Sequence, residues 1–290
     1  MKRKHIIFLI CASVVLSALV GWIIWGNLAI EVTDFSVQNS EIPEAFDGFR
    51  IAQISDLHNA EFGKENADLV AHLERVEPDI IVLTGDIIDS RRTDISVAID
   101  LAPKLVAIAP TYYVTGNHEG RLDGEEYKEL TDGFRTAGVI VLENEAVTVT
   151  RGTDSIVIVG VEDPRRDEGW TEDDEKTVRF ERMEKKLTDL SDKYKNSYSV
   201  LLSHRPDMLE VYAESGVDLV FSGHMHGGQF RVPFLGGLYA PSHGFFPEYD
   251  AGLYELGSTD MIVSRGLGNS LFPFRINNRP EIVVVELNAK

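Results

Sequence analysis

The 290-residue chain is short of cysteine and of basic charge. Its single cysteine, Cys11, lies in an apolar run near the N-terminus, so no intrachain disulfide can form. It has 28 lysines and arginines against 47 aspartates and glutamates, a formal net charge of -19, which argues against a nucleic-acid-binding surface. It also lacks internal repeats and low-complexity linkers, and its length suits one large domain.

One long uncharged apolar stretch, residues 6–25, lies close to the N-terminus. A helix of about 20 residues spans the roughly 30 Å hydrocarbon core of a bilayer. Basic residues precede the stretch and acidic residues follow it, so the positive-inside rule predicts a cytoplasmic N-terminus and an extracytoplasmic domain. We therefore expect a single-pass anchor in the cell membrane over residues 1–30 and a catalytic domain over 31–290. A cleaved signal peptide is the alternative, although the apolar core is long for one.

The rest of the chain divides into an alternating first half and a strand-rich second half. Strands are predicted at 31–37, 50–55, 79–84, 111–115, 139–142, 147–149, 156–161, 198–203 and 219–222. Helices are predicted at 64–76, 95–107, 125–137 and 177–187, with another beginning at Pro206. Pro103 is expected to kink or split its helix. Alternation of strand and helix is typical of parallel βαβ units, and we expect two packed sheets with helices outside.

Polar side chains follow five of these strands at the point where each strand ends. The fragments are Ser55-Asp56-Leu57-His58, Gly85-Asp86, Gly116-Asn117-His118, Ser203-His204 and Gly223-His224-Met225-His226. Ligands in α/β sheets gather at the carboxyl ends of strands, so these side chains should converge. In extended backbone, residues two apart also point the same way, as for His224 and His226. Each fragment alone is weak, but together the carboxylates, amide and imidazoles predict a two-metal site.

The motif order Asp-x-His, Gly-Asp, Gly-Asn-His-Glu, His, Gly-His-x-His resembles the calcineurin-like metallophosphoesterase superfamily. The resemblance covers about residues 50–287, and the apolar N-terminus with Ser-Asp-Leu-His and Gly-His-Met-His-Gly-Gly-Gln is similar to bacterial membrane-anchored phosphoesterases of the YkuE and YaeI type. It implies an α/β fold, a four-layer αββα sandwich of two mixed sheets with a dimetal site at the strand C-terminal ends. One N-terminal transmembrane helix would precede it.

The resemblance also assigns roles to individual residues. One metal ion would be held by Asp56, His58, Asp86 and His226, and the other by Asp86, Asn117, His204 and His224. Asp86 would bridge the two ions. His118 would face the leaving group as a general acid or as a donor to the transition state. Glu119 would orient His118, unless it is simply a solvated glutamate.

Charge explains how an acidic protein could bind a phosphate. The positive charge of two divalent cations exceeds the combined negative charge of Asp56, Asp86 and a shared hydroxide, so the site is left slightly positive. Two cations about 3.5–4 Å apart lower the pKa of a shared water and clamp the phosphoryl oxygens, and the hydroxide attacks phosphorus in line with the leaving oxygen. The ligands suit Mn²⁺, Fe²⁺ or Zn²⁺, and the sequence does not decide between them.

These observations predict a metal-dependent hydrolase for a phosphodiester or pyrophosphate bond, in a lipid-linked or cell-envelope substrate. A phosphomonoesterase or nucleotidase of the same fold is an alternative, because access loops decide that preference. A non-catalytic scaffold should have lost ligands or His118, and this chain keeps them. No protein partner can be inferred.

Three residues are candidate substrate contacts: Arg165, Arg265 and His243. Guanidinium groups bind phosphate bidentately, although ordinary surface pairing is an alternative for each arginine. Arg265 is favoured because it lies in a glycine-rich strand end, and His243 could instead satisfy a loop. Phe245-Phe246 and the run 271–274 either belong to the core or lie toward lipid beside the site.

Overall fold

The computed structural model describes residues 2–171, 176–240 and 243–290. Met1, residues 172–175 and the Pro241-Ser242 pair before His243 therefore lie outside the described residues. The described ranges contain six helices: α1 (Lys2–Leu28), α2 (Ala67–Val76), α3 (Ile95–Val106), α4 (Gly124–Ala137), α5 (Lys176–Tyr194) and α6 (Leu209–Ser215).

Sixteen strands are present in the same ranges. They are β1 (Glu31–Asn39), β2 (Phe49–Ile54), β3 (Ile80–Thr84), β4 (Thr111–Val114), β5 (Ile140–Val141), β6 (Glu145–Arg151), β7 (Asp154–Gly160), β8 (Ser199–Leu202), β9 (Leu219–Ser222), β10 (Arg231–Val232), β11 (Gly236–Gly237), β12 (Tyr239–Ala240), β13 (Gly244–Phe245), β14 (Gly252–Leu256), β15 (Thr259–Val263) and β16 (Glu281–Ala289).

Two six-stranded mixed sheets form the centre of the domain. The first has the order β1-β16-β2-β3-β4-β5, with β2 to β5 parallel and β16 antiparallel to β2. The second has the order β14-β15-β9-β8-β7-β6, with β15, β9, β8 and β7 parallel between two antiparallel edge strands. The parallel strands of each sheet therefore end at one edge, which is where the predicted ligands follow.

Alternate side chains of each strand pack into different layers. In β3, Ile80 and Val82 face the second sheet, whereas Ile81 and Leu83 face the helices α2, α3 and α4. In the second sheet, Val200 of β8 lies between the sheets and Leu201 packs against α5 and α6. Strands buried on both faces need apolar residues at every position, which explains the continuous apolar runs. The layers confirm the predicted α/β sandwich of two mixed sheets with helices outside.

Pro103 does not split its helix. Helix α3 runs as one element from Ile95 to Val106, and the Asp94 carboxylate caps its start by accepting the Ser96 N–H. Pro103 lies in the last turn, where the missing N–H removes one hydrogen bond and few residues follow to be displaced. The predicted split of this helix at Pro103 is therefore wrong.

Helix α1 projects from the domain with its apolar side chains exposed along its length. It is long and apolar enough to cross a membrane. Its C-terminal end is tied to the domain, because Asn27 exchanges two hydrogen bonds with the backbone of Arg275, at 2.7 and 2.9 Å. The Arg279 guanidinium also donates to the carbonyls of Ala29 and Ile30.

Candidate metal centre

The structure brings the predicted ligands together at the carboxyl edge of both sheets. Asp56 and His58 follow β2, Asp86 follows β3, and Asn117 follows β4. From the second sheet, His204 follows β8, and His224 and His226 follow β9. Each sheet thus supplies part of one shared cluster, which lies where the two sheets meet.

The side-chain atoms form two groups that can each hold an ion, and His58, Asp86 and His118 form a third that overlaps both. In the first, His226 Nε2 lies 3.3 Å from Asp56 Oδ1 and 3.1 Å from His58 Nε2. In the second, His204 Nε2 lies 3.2 Å from both Asp86 Oδ2 and His224 Nδ1. Asp86 Oδ2 is also 3.7 Å from His58 Nε2, so this carboxylate lies between the two groups. Asn117 lines a cavity next to these atoms.

The donor set fits divalent cations. Burial holds the pKa of His58, His224 and His226 well below the usual histidine value, so these rings are neutral and offer lone pairs. The His58 and His226 ring nitrogens that face each other at 3.1 Å share at most one proton, so at least one lone pair faces the site. Among the described residues the Asn117 side-chain oxygen has no hydrogen-bond partner. Burial alone would lower the pKa of His204, but Asp86 raises it to about 10. A cation there would therefore displace a proton from His204.

Most of these ligands have an unusual backbone conformation. Five of them have a positive φ, from 48° to 73°: Asp56, His58, Asp86, His224 and His226. Non-glycine residues rarely adopt this left-handed region, and such strain clusters at functional sites. The sequence argument assumed that paired ligands continue an extended strand, and that assumption is wrong. Instead, sharp turns after each strand aim the ligands inward.

At two positions in the site only glycine fits, because there is no room for a side chain. A Cβ on Gly116 would overlap the Asp86 carboxylate, and a Cβ on Gly223 would overlap the Ser55 hydroxyl and the Asp56 carboxylate. The Asp56 carboxylate in turn accepts the backbone N–H of His224 at 3.0 Å. Backbone from one sheet therefore touches the ligands from the other, which fixes their relative position.

Glu119 orients the Asp86 turn. Its fully buried carboxylate accepts the backbone N–H groups of Asp86, Ile87 and Gly116, each at 2.8 Å, and of Ile88 at 3.2 Å. It is therefore not a solvated glutamate, and these bonds position the Asp86 ligand rather than the His118 ring. Sequence alone could not distinguish the two, because three of the four N–H groups that it binds come from another strand end.

Asp89 and Ser90 hold the His118 ring. The Ser90 N–H donates to His118 Nδ1 at 3.0 Å, and the buried Asp89 carboxylate lies 3.3 Å from the same nitrogen. With Nδ1 accepting this bond, the neutral ring carries its proton on Nε2. His118 also lines the cavity beside Asp86 and Asn117. Neither Asp89 nor Ser90 was predicted, although Asp89 follows Asp86 by three residues on a loop already assigned to the site.

Arginines surround a cavity of about 240 Å³ next to the ligands. Arg91, Arg121, Arg165 and Arg205 line it, and Arg165 is the one that the sequence singled out. Arg205 is buried and makes a bidentate pair with Asp163, at 2.6 and 3.2 Å. This local positive charge in an acidic protein suits an anionic substrate. Arg91, Arg121 and Arg205 were missed, because single arginines in loops carry no sequence signal.

Arg265 and His243 are not among the residues that line this cavity. The Arg265 guanidinium binds Glu281 at 2.7 Å and Glu31 at 2.9 Å, in a separate cavity against α1. Its position does not support the predicted substrate contact, because two carboxylates already engage it. The His243 ring packs edge-on against His224 and lies 3.4 Å from Asp207, so it stands behind a ligand.

Comparisons with known proteins agree with this geometry. A family model described as calcineurin-like phosphoesterase matches residues 49–228. The chain is 34% identical to the uncharacterized metallophosphoesterase YkuE of Bacillus subtilis, over 90% of this chain and 86% of that protein. It is 30% identical to the phosphodiesterase YaeI of Escherichia coli, over 82% of each. It is 28% identical to a zebrafish (Danio rerio) transmembrane protein with a metallophosphoesterase domain, over 89% of this chain and 57% of that protein.

Proposed function

The chain belongs to the calcineurin-like phosphoesterase family of metal-dependent hydrolases, and we propose that it cleaves a phosphodiester or pyrophosphate bond in a lipid-linked or cell-envelope substrate. The observation that carries this proposal is the pair of buried ligand groups on either side of the Asp86 carboxylate. A single structural ion would need only one such group. The name of the Escherichia coli relative, a phosphodiesterase, supports the diester reading.

We assign one cation to Asp56, His58, Asp86 and His226, and a second to Asp86, Asn117, His204 and His224. Mn²⁺, Fe²⁺ and Zn²⁺ all suit this mixture of oxygen and imidazole ligands. When bound, two such cations supply Lewis acidity toward phosphoryl oxygens and lower the pKa of water to give a nucleophile near neutral pH. The buried carboxylates and neutral histidines hold them, and the turns described above fix the ligand positions.

His118 assists departure of the leaving group. Its Nδ1 accepts the Ser90 N–H, so the neutral ring offers its Nε2–H as a hydrogen-bond donor to the leaving oxygen. When the ring is protonated on both nitrogens, Nδ1–H faces the Asp89 carboxylate 3.3 Å away instead of accepting from Ser90, and the charged ring can then transfer the Nε2 proton to the leaving oxygen. Arg165, with Arg91 and Arg121, lies where a guanidinium can bind the phosphate of the substrate.

Helix α1 anchors the enzyme in the cell membrane. Its basic N-terminal residues face the cytoplasm, and the domain over 31–290 lies outside the cytoplasm. The hydrogen bonds of Asn27 with Arg275, and of Arg279 with Ala29 and Ile30, support retention of the helix as part of the mature protein rather than its removal as a signal peptide. The zebrafish relative, described as a transmembrane protein, supports the same arrangement.

Hydrolysis of two chromogenic esters tests the proposal. The purified full chain is stripped of metal, reloaded with Mn²⁺, and assayed on bis-p-nitrophenyl phosphate and on p-nitrophenyl phosphate. Faster cleavage of the diester is expected. Preferential cleavage of the monoester would favour a phosphomonoesterase, and bound metal without hydrolysis of either ester would overturn the enzymatic assignment for these substrates.

A further inference from the structure

A set of exposed apolar side chains lies on the loops that follow β9 and β15, and one of them, Leu271, lines the metal cavity. It consists of Phe234, Leu235, Phe245, Phe246 and Leu271, here called the apolar rim. Phe234 is fully exposed, Phe245 is 71% exposed and Leu235 is 67% exposed. These side chains come from three loops: the β10–β11 turn, the end of β13 and the loop after β15. Exposed apolar clusters of this kind mark interaction surfaces.

Aromatic contacts join two of these regions, the chain around β12 and β13 and the loop after β15. The Tyr239 ring packs edge-on against Phe245 and lies 6.4 Å from Phe272. The Phe230 ring lies 5.1 Å from Phe272 and 5.7 Å from Phe274. Phe245 of the rim therefore packs on an aromatic cluster that joins the segment 230–245 to the segment 272–274.

The segment that carries Leu271 connects the metal cavity to the C-terminal end of α1. Leu271 lines the cavity beside His226, while four residues further along the chain Arg275 bonds to Asn27 of α1. The β10 strand that precedes Phe234 is held to the same segment, because the Arg231 N–H donates to the Ile276 carbonyl at 3.0 Å. The mouth of the site and the end of the apolar helix are thus linked by a short length of hydrogen-bonded chain.

The folded domain gains little from the exposed aromatic side chains. Phe234 and Phe246 both have left-handed backbone, with φ of 69° and 55°. Bulky residues rarely adopt this conformation, and their exposed side chains recover little of the cost through burial. Glycine or asparagine would fit both positions better. Their presence therefore points to a partner outside the domain.

The charge of the surrounding segments favours a lipid surface as that partner. Residues 227–247 and 264–280 contain four arginines and no aspartate or glutamate, in a chain that has 47 acidic residues. Carboxylates are costly at an anionic lipid surface, so segments without them fit such a surface. The arginines offset the protein's own acids instead, since Arg231 pairs with Asp250 at 3.0 Å and Arg265 pairs with Glu281. Exposed aromatic residues in segments without acids are typical of chain that enters the headgroup region.

We propose that the apolar rim docks into the bilayer that α1 crosses, so that the metal cavity opens at the lipid headgroups. The proposal rests on the anchored phosphodiesterase described above and specifies how its substrate arrives: an amphiphile enters the site from the membrane surface. The docked rim and α1 form two contacts with the same bilayer, so the domain is held in one orientation.

Depth measurements on the full chain test the docking directly. In a Cys11→Ser background, Phe234→Cys or Phe245→Cys is labelled with a polarity-sensitive fluorophore and reconstituted into phosphatidylethanolamine–phosphatidylglycerol vesicles. Leu256→Cys, an exposed apolar position in the β14–β15 turn, is the matched control. A blue shift with quenching by nitroxide lipids is expected at both rim positions and not at Leu256. Unshifted emission would overturn the proposal, as would a shift without quenching, which indicates burial against another protein copy.

A pair of substrates separates this proposal from the proposed function. Methyl p-nitrophenyl phosphate and hexadecyl p-nitrophenyl phosphate have the same leaving group, and only the second carries a long alkyl chain. The double variant Phe234→Asn with Phe245→Ser should lose about tenfold on the hexadecyl ester in vesicles and less than about twofold on the methyl ester. If the double variant hydrolyses both esters at the native rate, the docking proposal is wrong and the proposed phosphodiesterase activity is unaffected. If the native chain hydrolyses neither ester, the phosphodiesterase proposal fails and the depth measurement still decides the docking.

Discussion

The metal centre and the apolar rim adjoin each other but are built in opposite ways. The candidate ligands follow strands at the centre of both sheets, and most are fully buried, as Asp56 and His204 are. The rim comes from strands of two residues, β10 to β13, with long loops around them. Packing of the two sheets therefore fixes the positions of the ligands, whereas the rim residues lie outside the core and are exposed.

This difference separates two requirements of a hydrolase that acts at a surface. Chemistry needs ligands held within a fraction of an ångström, and turns fixed by both sheets provide that. Access to substrate needs a surface whose composition can change without disturbing those turns, and loops at the edge provide it. Substitutions in the centre should thus affect catalysis, and substitutions in the rim should affect encounter with substrate.

The largest effect is expected from Asp86→Ala. Asp86 faces both ligand groups, and its Oδ1 also accepts the backbone N–H of His118 at 2.7 Å. Its loss should lower turnover of bis-p-nitrophenyl phosphate at least about a thousandfold, because both cation sites lose a carboxylate. Steady-state kinetics with Mn²⁺ measure this. Asp132→Ala, at an exposed position on α4, is the matched control and should retain full activity.

A folding defect must be separated from that loss. Circular dichroism and thermal unfolding should show that Asp86→Ala is folded. Retention of more than about a tenth of native activity by the folded variant would contradict the assignment of Asp86 as the shared ligand.

A smaller, substrate-dependent effect is expected from His118→Ala. General acid catalysis contributes about 10² to 10⁴-fold when the leaving group needs a proton. A diester with an alkyl leaving group should lose activity by that factor, whereas p-nitrophenolate leaves without assistance and its ester should lose much less. His72→Ala, on the exposed face of α2, is the control. Equal losses on both esters would show that His118 acts in another way.

Glu119→Gln should weaken metal binding more than it slows the bound enzyme. The carboxylate accepts four backbone N–H groups, and an amide would place its own N–H₂ against at least one of them. We expect Mn²⁺ affinity to fall about 10 to 100-fold, as for other residues that position metal ligands. Calorimetric titration measures this affinity, and Glu129→Gln on the exposed face of α4 is the control.

The rate at saturating Mn²⁺ discriminates between positioning and a direct role. If Glu119 only holds the Asp86 turn, excess metal should restore kcat to within a few-fold of the native value. An unrecovered kcat with native Mn²⁺ affinity would show that Glu119 acts on the reacting groups instead.

The strand ends made the centre predictable from sequence. Ligands such as Asp86 and Asn117 come directly after buried parallel strands, and such strands end together at one edge. Local spacing is therefore enough to bring them near each other. The same reasoning did not foresee the left-handed turns, because it took the extended conformation of the strand to continue through His58.

Long-range pairing made the other residues unpredictable. Arg265 follows a strand and precedes glycine, as a site residue would, yet its partner Glu31 is 234 residues away in the chain. Glu119 looked like either a solvated residue or a partner of His118, and only the position of the Asp86 turn decides its role. A side chain whose environment is supplied by a distant segment carries no local signal of that environment.

The smallest effect, on folding stability, sharpens the contrast between centre and rim. The double variant Phe234→Asn with Phe245→Ser should change the free energy of unfolding by less than about 0.5 kcal/mol, because neither side chain is buried. By comparison, Phe221→Ala between the two sheets removes a fully buried ring and should cost about 3–5 kcal/mol. Urea unfolding of the full-length variants and the native protein, all in one detergent, measures both changes in stability. A rim variant as unstable as Phe221→Ala would mean that the rim contributes to packing, and its exposed aromatics would then need no lipid partner to explain them.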